Sequence, residues 1–447
     1  MSSPAPLELT RRAALRQAAP MVLANAVVPL AGVADTAVIG AVGGSAELGG
    51  IALGATIFNL LYATFYFLRM GSSGLAAQAE GSGDRAELQR VLLRAIGIAA
   101  VAGTTIALTA PLLASVGFWA FQGGAAVEAV GSSYFRVRAL GAPGTLAMFA
   151  VTGWLIGRGR SGAVLGVAAA SSLTNIALDL ILVLGFGVGV EGVAAATAAA
   201  DTIGALAGLL LCASLIRDEG GLLTEARSRR SLLAVSALWL LARLSGDMMV
   251  RSWGLLAGFA WFANAGARHG DVVLAGNHVL LQVVTVWAFV LDAFAFTAET
   301  GVGRAIGQGS VSALRRAIRV TTELSLVSGA TATVLTLLLG PPLLRMWIVD
   351  AGTLESALRY LPYCAVIPLV GAPAWQLDGI FVGATRSAAM RNASVVALLV
   401  YVVLDRLLQP GLGVDGMWLA LVLFYVARAA ALLVSYPLVE RAVKQDR

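Results

Sequence analysis

The sequence predicts an all-α integral membrane protein: twelve transmembrane helices in two six-helix lobes related by a pseudo-two-fold axis along the membrane normal. Three observations predict it. Hydrophobic residues make up 58% of the chain and charged residues 13%, whereas charge makes up roughly a quarter of an ordinary soluble domain. A span needs about twenty apolar residues, so 447 residues joined by short loops hold about a dozen. The third is a long internal repeat, described below.

Turn glycines, prolines and charges divide the chain into elements. The first lobe, residues 1–216, reads as helices over 14–40, 48–70, 89–116, 130–157, 163–186 and 192–216. Arg11, Arg12 and Arg16 precede an apolar run that resembles a signal peptide, but it continues without a cleavage site and is read as an uncleaved first span. The polar stretch RDEGGLLTEARSRR, residues 217–230, reads as a cytoplasmic linker. The second lobe, residues 231–447, reads as helices over 232–262, 273–298, 315–344, 355–383, 390–409 and 415–438.

Charge sets the orientation. The net charge of +6 is almost wholly arginine, with Lys444 the single lysine. It gathers in the N-terminal tail, around Arg85 to Arg94, at Arg158 and Arg160, in the linker, at Arg304 to Arg319, at Arg386 and Arg391, and from Arg441 onward. The alternate loops carry Glu47, Glu128, Glu191, Asp271, Asp350 and Asp415. The positive-inside rule then places both termini and the linker in the cytoplasm, in a multi-pass protein of the cytoplasmic (inner) membrane. Loop arginine of this kind reports topology and not nucleic-acid binding. Cys212 and Cys364 are isolated in apolar segments, and His269 and His278 lack metal-ligand neighbours, so no disulfide framework, structural metal or cofactor is expected.

A shift of 226 residues aligns Gly40 with Gly266, Leu48 with Leu274, Gly81 with Gly307, Arg90 with Arg316, Tyr134 with Tyr360 and Asp179 with Asp405. Gly157, Arg160 and Ser161 fall on Gly383, Arg386 and Ser387. Six helices per repeat preserve orientation, which is the reason for an axis along the membrane normal. The repeats differ where it matters: Asp35 falls opposite Trp261, and Asn175 opposite Tyr401. Ion chemistry is therefore expected in the N-terminal lobe.

The candidate site lies within 161–206. Asn175 and Asp179 are four residues apart and share one helix face, and Thr197 and Asp201 repeat the spacing after a glycine-rich turn. Asp35 lies about five residues, roughly 8 Å, below the outer end of the first span. Asp35, Asp179 and Thr197 reach a similar level in the outer half of the membrane, with Asn175 and Asp201 a turn deeper. Ionisable groups at such depth are expensive and face a partner or a cavity. Two carboxylates there either share protons or hold a hard cation among oxygen ligands. The competing reading is a polar contact that holds the fifth span to the sixth. Pro20 and Pro29 interrupt the first span, as a hinge or as a static kink.

Other polar residues have blander readings. Arg243, Asp247 and Arg251 read as a charge ladder along one helix. Asp292, Glu299 and Asp378 lie toward cytoplasmic helix ends, either as a second relay or gate or in interfacial water. Arg428 sits mid-span and needs a buried partner. Phe58, Tyr62, Phe65, Tyr66, Trp154, Trp261, Trp287, Phe289 and Trp375 either line an apolar cavity that draws flat cations or face core and lipid.

The run LDAFAFTAETGVGRAIG at 291–307, the run WQLDGIFVGATRSAAMRN at 375–392, and Asp35 within ADTAVIG resemble the multidrug and toxic compound extrusion family, in its DNA-damage-inducible protein F branch. The resemblance implies a two-lobed, alternating-access exporter that exchanges an inward proton or sodium ion for small organic compounds, often cationic or amphipathic. It implies a coupling-ion site at Asp35, Asn175, Asp179 and Thr197, to which the spacing argument adds Asp201, and a helix-1 hinge at Pro20. Relatives often place an asparagine in the fourth span; this chain has Thr152 and no asparagine there. A monomer in the lipid bilayer, without enzymatic activity, is expected. The alternative is a flippase for a lipid-linked precursor, which needs cavity cations such as Arg136, Arg138, Arg243 and Arg251 to hold a pyrophosphate. A membrane transferase finds no acid, His or nucleotide-binding constellation to support it.

Overall fold

The computed structural model describes residues 9–121, 123–218 and 235–445, and among these all regular structure is helical. The first span is α1 (Arg11–Val42), which runs through Pro20 and Pro29. The second is α2 (Ser45–Ala63) followed by α3 (Phe67–Ser82). At the start of α2, Glu47 reaches back to accept from the Gly44 N–H at 2.9 Å. Sequence periodicity predicts one helix over 48–70, but the ladder breaks where Thr64, Phe65 and Tyr66 N–H groups reach back only three residues, to Leu61, Tyr62 and Ala63.

α4 (Arg85–Leu108) starts where Asp84 accepts from the Glu87 N–H at 2.8 Å, and α5 (Ala110–Phe121) follows it directly. The fourth span is also broken: α6 (Ala125–Ala139) and α7 (Ala142–Gly157) meet at 56°. Pro143, in the first turn of α7, needs no backbone N–H there, which is where a helix accepts proline. α8 (Ser161–Asp179) passes into a π-helical turn, Leu180–Gly185, and α9 (Val190–Asp218) returns.

Beyond the expected linker, whose residues 219–230 lie outside the described residues, come α10 (Val235–Ala267), α11 (Asp271–Gly307), α12 (Val311–Trp347), α13 (Ala351–Gly383), α14 (Ser387–Leu412), α15 (Val414–Val434) and the short α16 (Pro437–Gln445). Among the described residues ten spans meet the length and apolarity of a membrane crossing, and the bent α6–α7 pair makes eleven. α10, 33 residues long, lies outside that count and occupies the place of the expected seventh span. It carries Arg243, Asp247 and Arg251 inside its apolar run.

The chain divides into two compact units, one from Leu23 to Ser245 and the other taking the chain up to Val22 and from Gly246 onward. In the first, α3 and α4 pack on α7, α2 on α6, and α9 on α8, α7 and α6. In the second, α11 and α12 pack on α13, and α15 on α14 and α13.

Close glycine contacts bear out the 226-residue repeat. A Cβ on Gly153 would lie 2.3 Å from the Arg69 carbonyl oxygen, and one on Gly379 would lie 2.1 Å from that of Ala295. Gly157 meets the Ser73 carbonyl at 2.3 Å, and Gly383 meets that of Glu299 at 2.4 Å. Each residue and its contact are displaced by the same offset, so both halves join the end of the second span to the fourth by backbone contact that excludes a side chain. The turn after the fourth span repeats as well, with Gly159 at φ 63° and Thr385 at φ 52°. Thr385 holds a left-handed conformation that a β-branched residue rarely adopts.

Gly379→Ala should lower the melting temperature of the detergent-solubilised protein, at a cost of about 3 kcal/mol, since backbone must move to admit the methyl. Gly97→Ala, where a Cβ meets nothing within 4 Å, should leave melting unchanged or raise it slightly. Equal melting of the two variants would refute backbone contact at Gly379.

Candidate coupling site

Asp35 lies on α1 beside Val38 and Ile39, which belong to the core of the first unit. About two turns before Asp35 on α1, the Ser172 hydroxyl of α8 donates to the Val27 carbonyl at 3.5 Å. The result brings four of the expected residues together: the Asp35 carboxyl faces the side chains of Asp179, Asn175 and Thr197. Asp35 is 8% exposed, Asn175 2% and Asp179 0%, so none can discharge into bulk water.

Hydrogen bonding fixes the direction of the donors. Thr197 gives its hydroxyl hydrogen to the Val193 carbonyl at 2.9 Å, so its oxygen is free to accept from the Asn175 amide, which it does at 3.2 Å. That bond turns Asn175 Oδ1 the other way. Asp35 Oδ1, both oxygens of Asp179 and Asn175 Oδ1 are consequently buried with no donor directed at them. A cluster of acceptors alone is satisfied by a proton shared between the acids or by a hard cation that oxygen ligands coordinate. The donor set fits either. Asp179 holds its place because it ends the regular α8 ladder, and π-helical turns often occur at functional positions.

Asp201 is placed elsewhere. Its Oδ2 accepts from Arg138 Nη2 at 3.0 Å and from the Thr145 hydroxyl at 2.6 Å. Since Arg138 ends α6 and Thr145 begins α7, the carboxylate pins the 56° bend of the fourth span. Pro20 lies in α1 three residues before the unit boundary at Leu23.

The second repeat answers the same positions differently. Trp261 Nε1 donates to Asp405 Oδ2 at 2.8 Å, and Gln409 Nε2 donates to Oδ1 at 2.7 Å. Where the first repeat sets an acid against Asp179, the second sets an indole donor against Asp405, and both oxygens of that carboxylate are satisfied. Asp378 is held by Arg251 and Arg428 together. Asp292 and Glu299 lie within electrostatic reach of Arg251, and Asp292 also of Arg428. The expected ladder along α10 does not form: Asp247 accepts from Ser387 at 2.7 Å and from Arg391 at 2.6 Å, both on α14, and Arg243 is exposed. Arg428 finds the partner its depth demanded.

A family model described as MatE matches residues 20–181 and 248–407. The chain belongs to the MatE family. These are multidrug and toxic compound extrusion transporters, not enzymes, and the two matched segments end at the 226-residue offset of the repeat. The chain is 34% identical to DNA damage-inducible protein F of Escherichia coli (strain K12) over 417 residues, covering 93% of this chain and 89% of that protein. It is 27% identical to a probable multidrug resistance protein NorM of Deinococcus radiodurans, covering 92% and 91%. It is 24% identical to Protein DETOXIFICATION 44, chloroplastic, of Arabidopsis thaliana, covering 93% and 80%. Among solved structures, MATE in the straight conformation superposes with a TM-score of 0.86 at 18% identity, covering 97% of each chain, and shows the same fold.

Within this MatE transporter the cations of a pyrophosphate site are otherwise engaged. Arg138 pairs with Asp201 and Arg251 with Asp378, while Arg136 donates back to the Ser132 carbonyl of its own helix at 3.3 Å. Among the described residues no group of three or more His, Cys, Asp or Glu side chains is placed to hold a metal ion. Sequence reasoning did not find the Arg138–Asp201–Thr145 bridge, because the two helices that meet there are 63 positions apart in the chain. The one available signal was an arginine and an acid both inside apolar spans.

Asp378→Asn should strip two buried arginines of their shared carboxylate and destabilise the transporter by about 3–5 kcal/mol. Asp405→Asn, which removes an acceptor of neutral donors only, should cost clearly less. The comparison is read from melting temperatures, and an equal loss would show that Asp378 does not neutralise the pair.

Proposed function

We propose that the chain is a cation-coupled antiporter that exports small organic compounds, often cationic or amphipathic, by alternating access, in exchange for a proton or sodium ion bound at Asp35, Asn175, Asp179 and Thr197. One observation carries the reading: two buried carboxyl groups face each other, and Asp35 Oδ1, both oxygens of Asp179 and Asn175 Oδ1 have no hydrogen-bond partner. At an effective dielectric of about 20, two carboxylates in contact repel by about 4 kcal/mol, some three decades in affinity for a neutralising charge. The site therefore takes up a cation strongly when it opens to the side where that ion is abundant. An organic cation drawn to the same negative charge competes with the ion, and by linkage each weakens the other's binding, as exchange requires.

The names of the relatives support the cargo: three of the similar proteins are probable multidrug resistance proteins NorM. The distribution of loop arginine supports an inner-membrane protein with both termini in the cytoplasm. In this reading the chain works as a monomer in the bilayer, with no cofactor. Asp201, bound to Arg138 and Thr145, serves the site as a neighbour and not as a ligand. Asp292, Glu299 and Asp378 form a charge network with Arg251 and Arg428.

Everted vesicles containing the protein should expel or accumulate a fluorescent organic cation when a pH or a sodium gradient is imposed separately. Asp35→Asn and Asp179→Asn should each reduce that gradient-driven movement at least about tenfold. Each should also melt no more than a few degrees below wild type, since the new amide supplies a donor to the acid that remains. Wild-type rates in both variants would defeat the reading.

A further inference from the structure

The Arg138–Asp201 pair stands beside the acid pair, and its bonding is incomplete. Arg138, in the last turn of α6, has a side chain only 12% exposed. Nη2 donates to Asp201, but Nη1 is buried with no acceptor. The Asp201 oxygen that receives Arg138 is already shared with the Thr145 hydroxyl. On its other side the charge of Arg138 acts on Asp35, whose Oδ1 is buried with no donor. An orphaned donor and an orphaned acceptor of opposite charge thus lie within electrostatic reach in one lobe. Such groups cost free energy apart and gain it together.

A tyrosine hydroxyl and two aromatic rings surround the guanidinium. The Tyr134 hydroxyl stands beside it, and both Arg138 and Asp35 act on that tyrosine. The rings of Phe58 and Tyr62 lie 5.7 and 6.0 Å from Cζ, so the planar cation lies over aromatic faces. The groups facing Arg138 can be named element by element. α1 supplies Asp35, with Asp179 of α8 behind it; α2 supplies Tyr62; α6 supplies Tyr134; α9 supplies Asp201. Glu191 of α9 is bonded to Ser133, α5 has no ionisable side chain, and Glu87 of α4 pairs with both Arg90 and Arg94.

We propose that Arg138 is a tethered internal cation held in alternation by Asp201 and Asp35: it rests on Asp201 while the Asp35–Asp179 pair carries its coupling ion, and turns to Asp35 when that ion has left. Its consequence for transport rests on the reading of the acid pair as the coupling site. The empty site would then be neutralised from within, and an arriving ion must displace an arginine. The loaded and empty forms differ by a defined contact, which is what any ligand needs in order to favour one form over another. In this role Arg138 is a positioning residue.

A double-mutant cycle tests it with the full-length protein in detergent. If two acids serve one arginine, each single variant, Asp35→Asn or Asp201→Asn, should melt within a few degrees of wild type. The double variant, which removes both carboxylates between which Arg138 alternates, should melt lower than the sum of the single shifts by about 5 °C or more. Adding Arg138→Met to the double variant should restore melting, or membrane yield if the double variant does not fold. Additive shifts, or a loss that Arg138→Met does not relieve, would overturn the proposal. In vesicles, Asp201→Asn should reduce gradient-driven efflux at least about tenfold at wild-type protein level, because Arg138 then stays on Asp35. Asp201→Asn/Arg138→Met should recover it; unchanged efflux in Asp201→Asn also overturns the proposal. If wild type itself shows no gradient-driven efflux, the coupling reading fails, while the melting cycle still decides whether Arg138 has two partners.

Discussion

Acceptor oxygens turned toward one another in a lobe of low dielectric set the terms for the rest of the N-terminal half. Asp35, Asn175 and Asp179 come from two helices that do not adjoin in sequence, and each is too buried for bulk water to satisfy it. Such a cluster is costly unless something positive completes it. The protein does not remove the cost by supplying a donor, as it does at Asp405. Thr197 instead spends its hydroxyl hydrogen on its own helix and uses its oxygen to hold the Asn175 amide, so the remaining oxygens stay directed at the acids.

That arrangement needs a frame that does not relax around it. Both repeats provide one by the same means: glycines at the end of the fourth span lie against backbone carbonyls at the end of the second, closer than any side chain permits. Interlocked backbones of this kind resist small adjustments, since an intervening side chain that could rotate is absent. The first repeat then departs from the second by breaks in the spans around the site, at Thr64 to Tyr66, at the α6–α7 bend and at the π-helical turn after Asp179.

The two halves dispose of buried charge in opposite ways. In the C-terminal half carboxylates meet arginines and an indole: Asp378 lies between Arg251 and Arg428, Asp247 takes Arg391, and Asp405 takes Trp261. In the N-terminal half an acid meets an acid. One half of a duplicated fold has its charges balanced internally, and the other has an imbalance that an external ion can answer. Asp201 and Arg138 form a balanced pair set next to the imbalance, as Glu80 and Arg158 form one elsewhere in that half.

Much of this was legible in the residues. Apolar spacing, loop arginine and the 226-residue offset determined the membrane-spanning class, the count of twelve and the duplication, because hydrocarbon thickness and backbone satisfaction leave a long apolar chain few alternatives. Asp35, Asn175, Asp179 and Thr197 stood out because helical spacing and depth can be counted along a sequence. Only the tertiary structure decided which acids meet. Asp201 shares the spacing of Thr197 yet turns to Arg138, and Arg251 shares the spacing of Asp247 yet turns to Asp378, because the partner comes from a helix whose rotation and bend no local pattern specifies. Periodicity tells which residues share a face; only packing tells what that face meets.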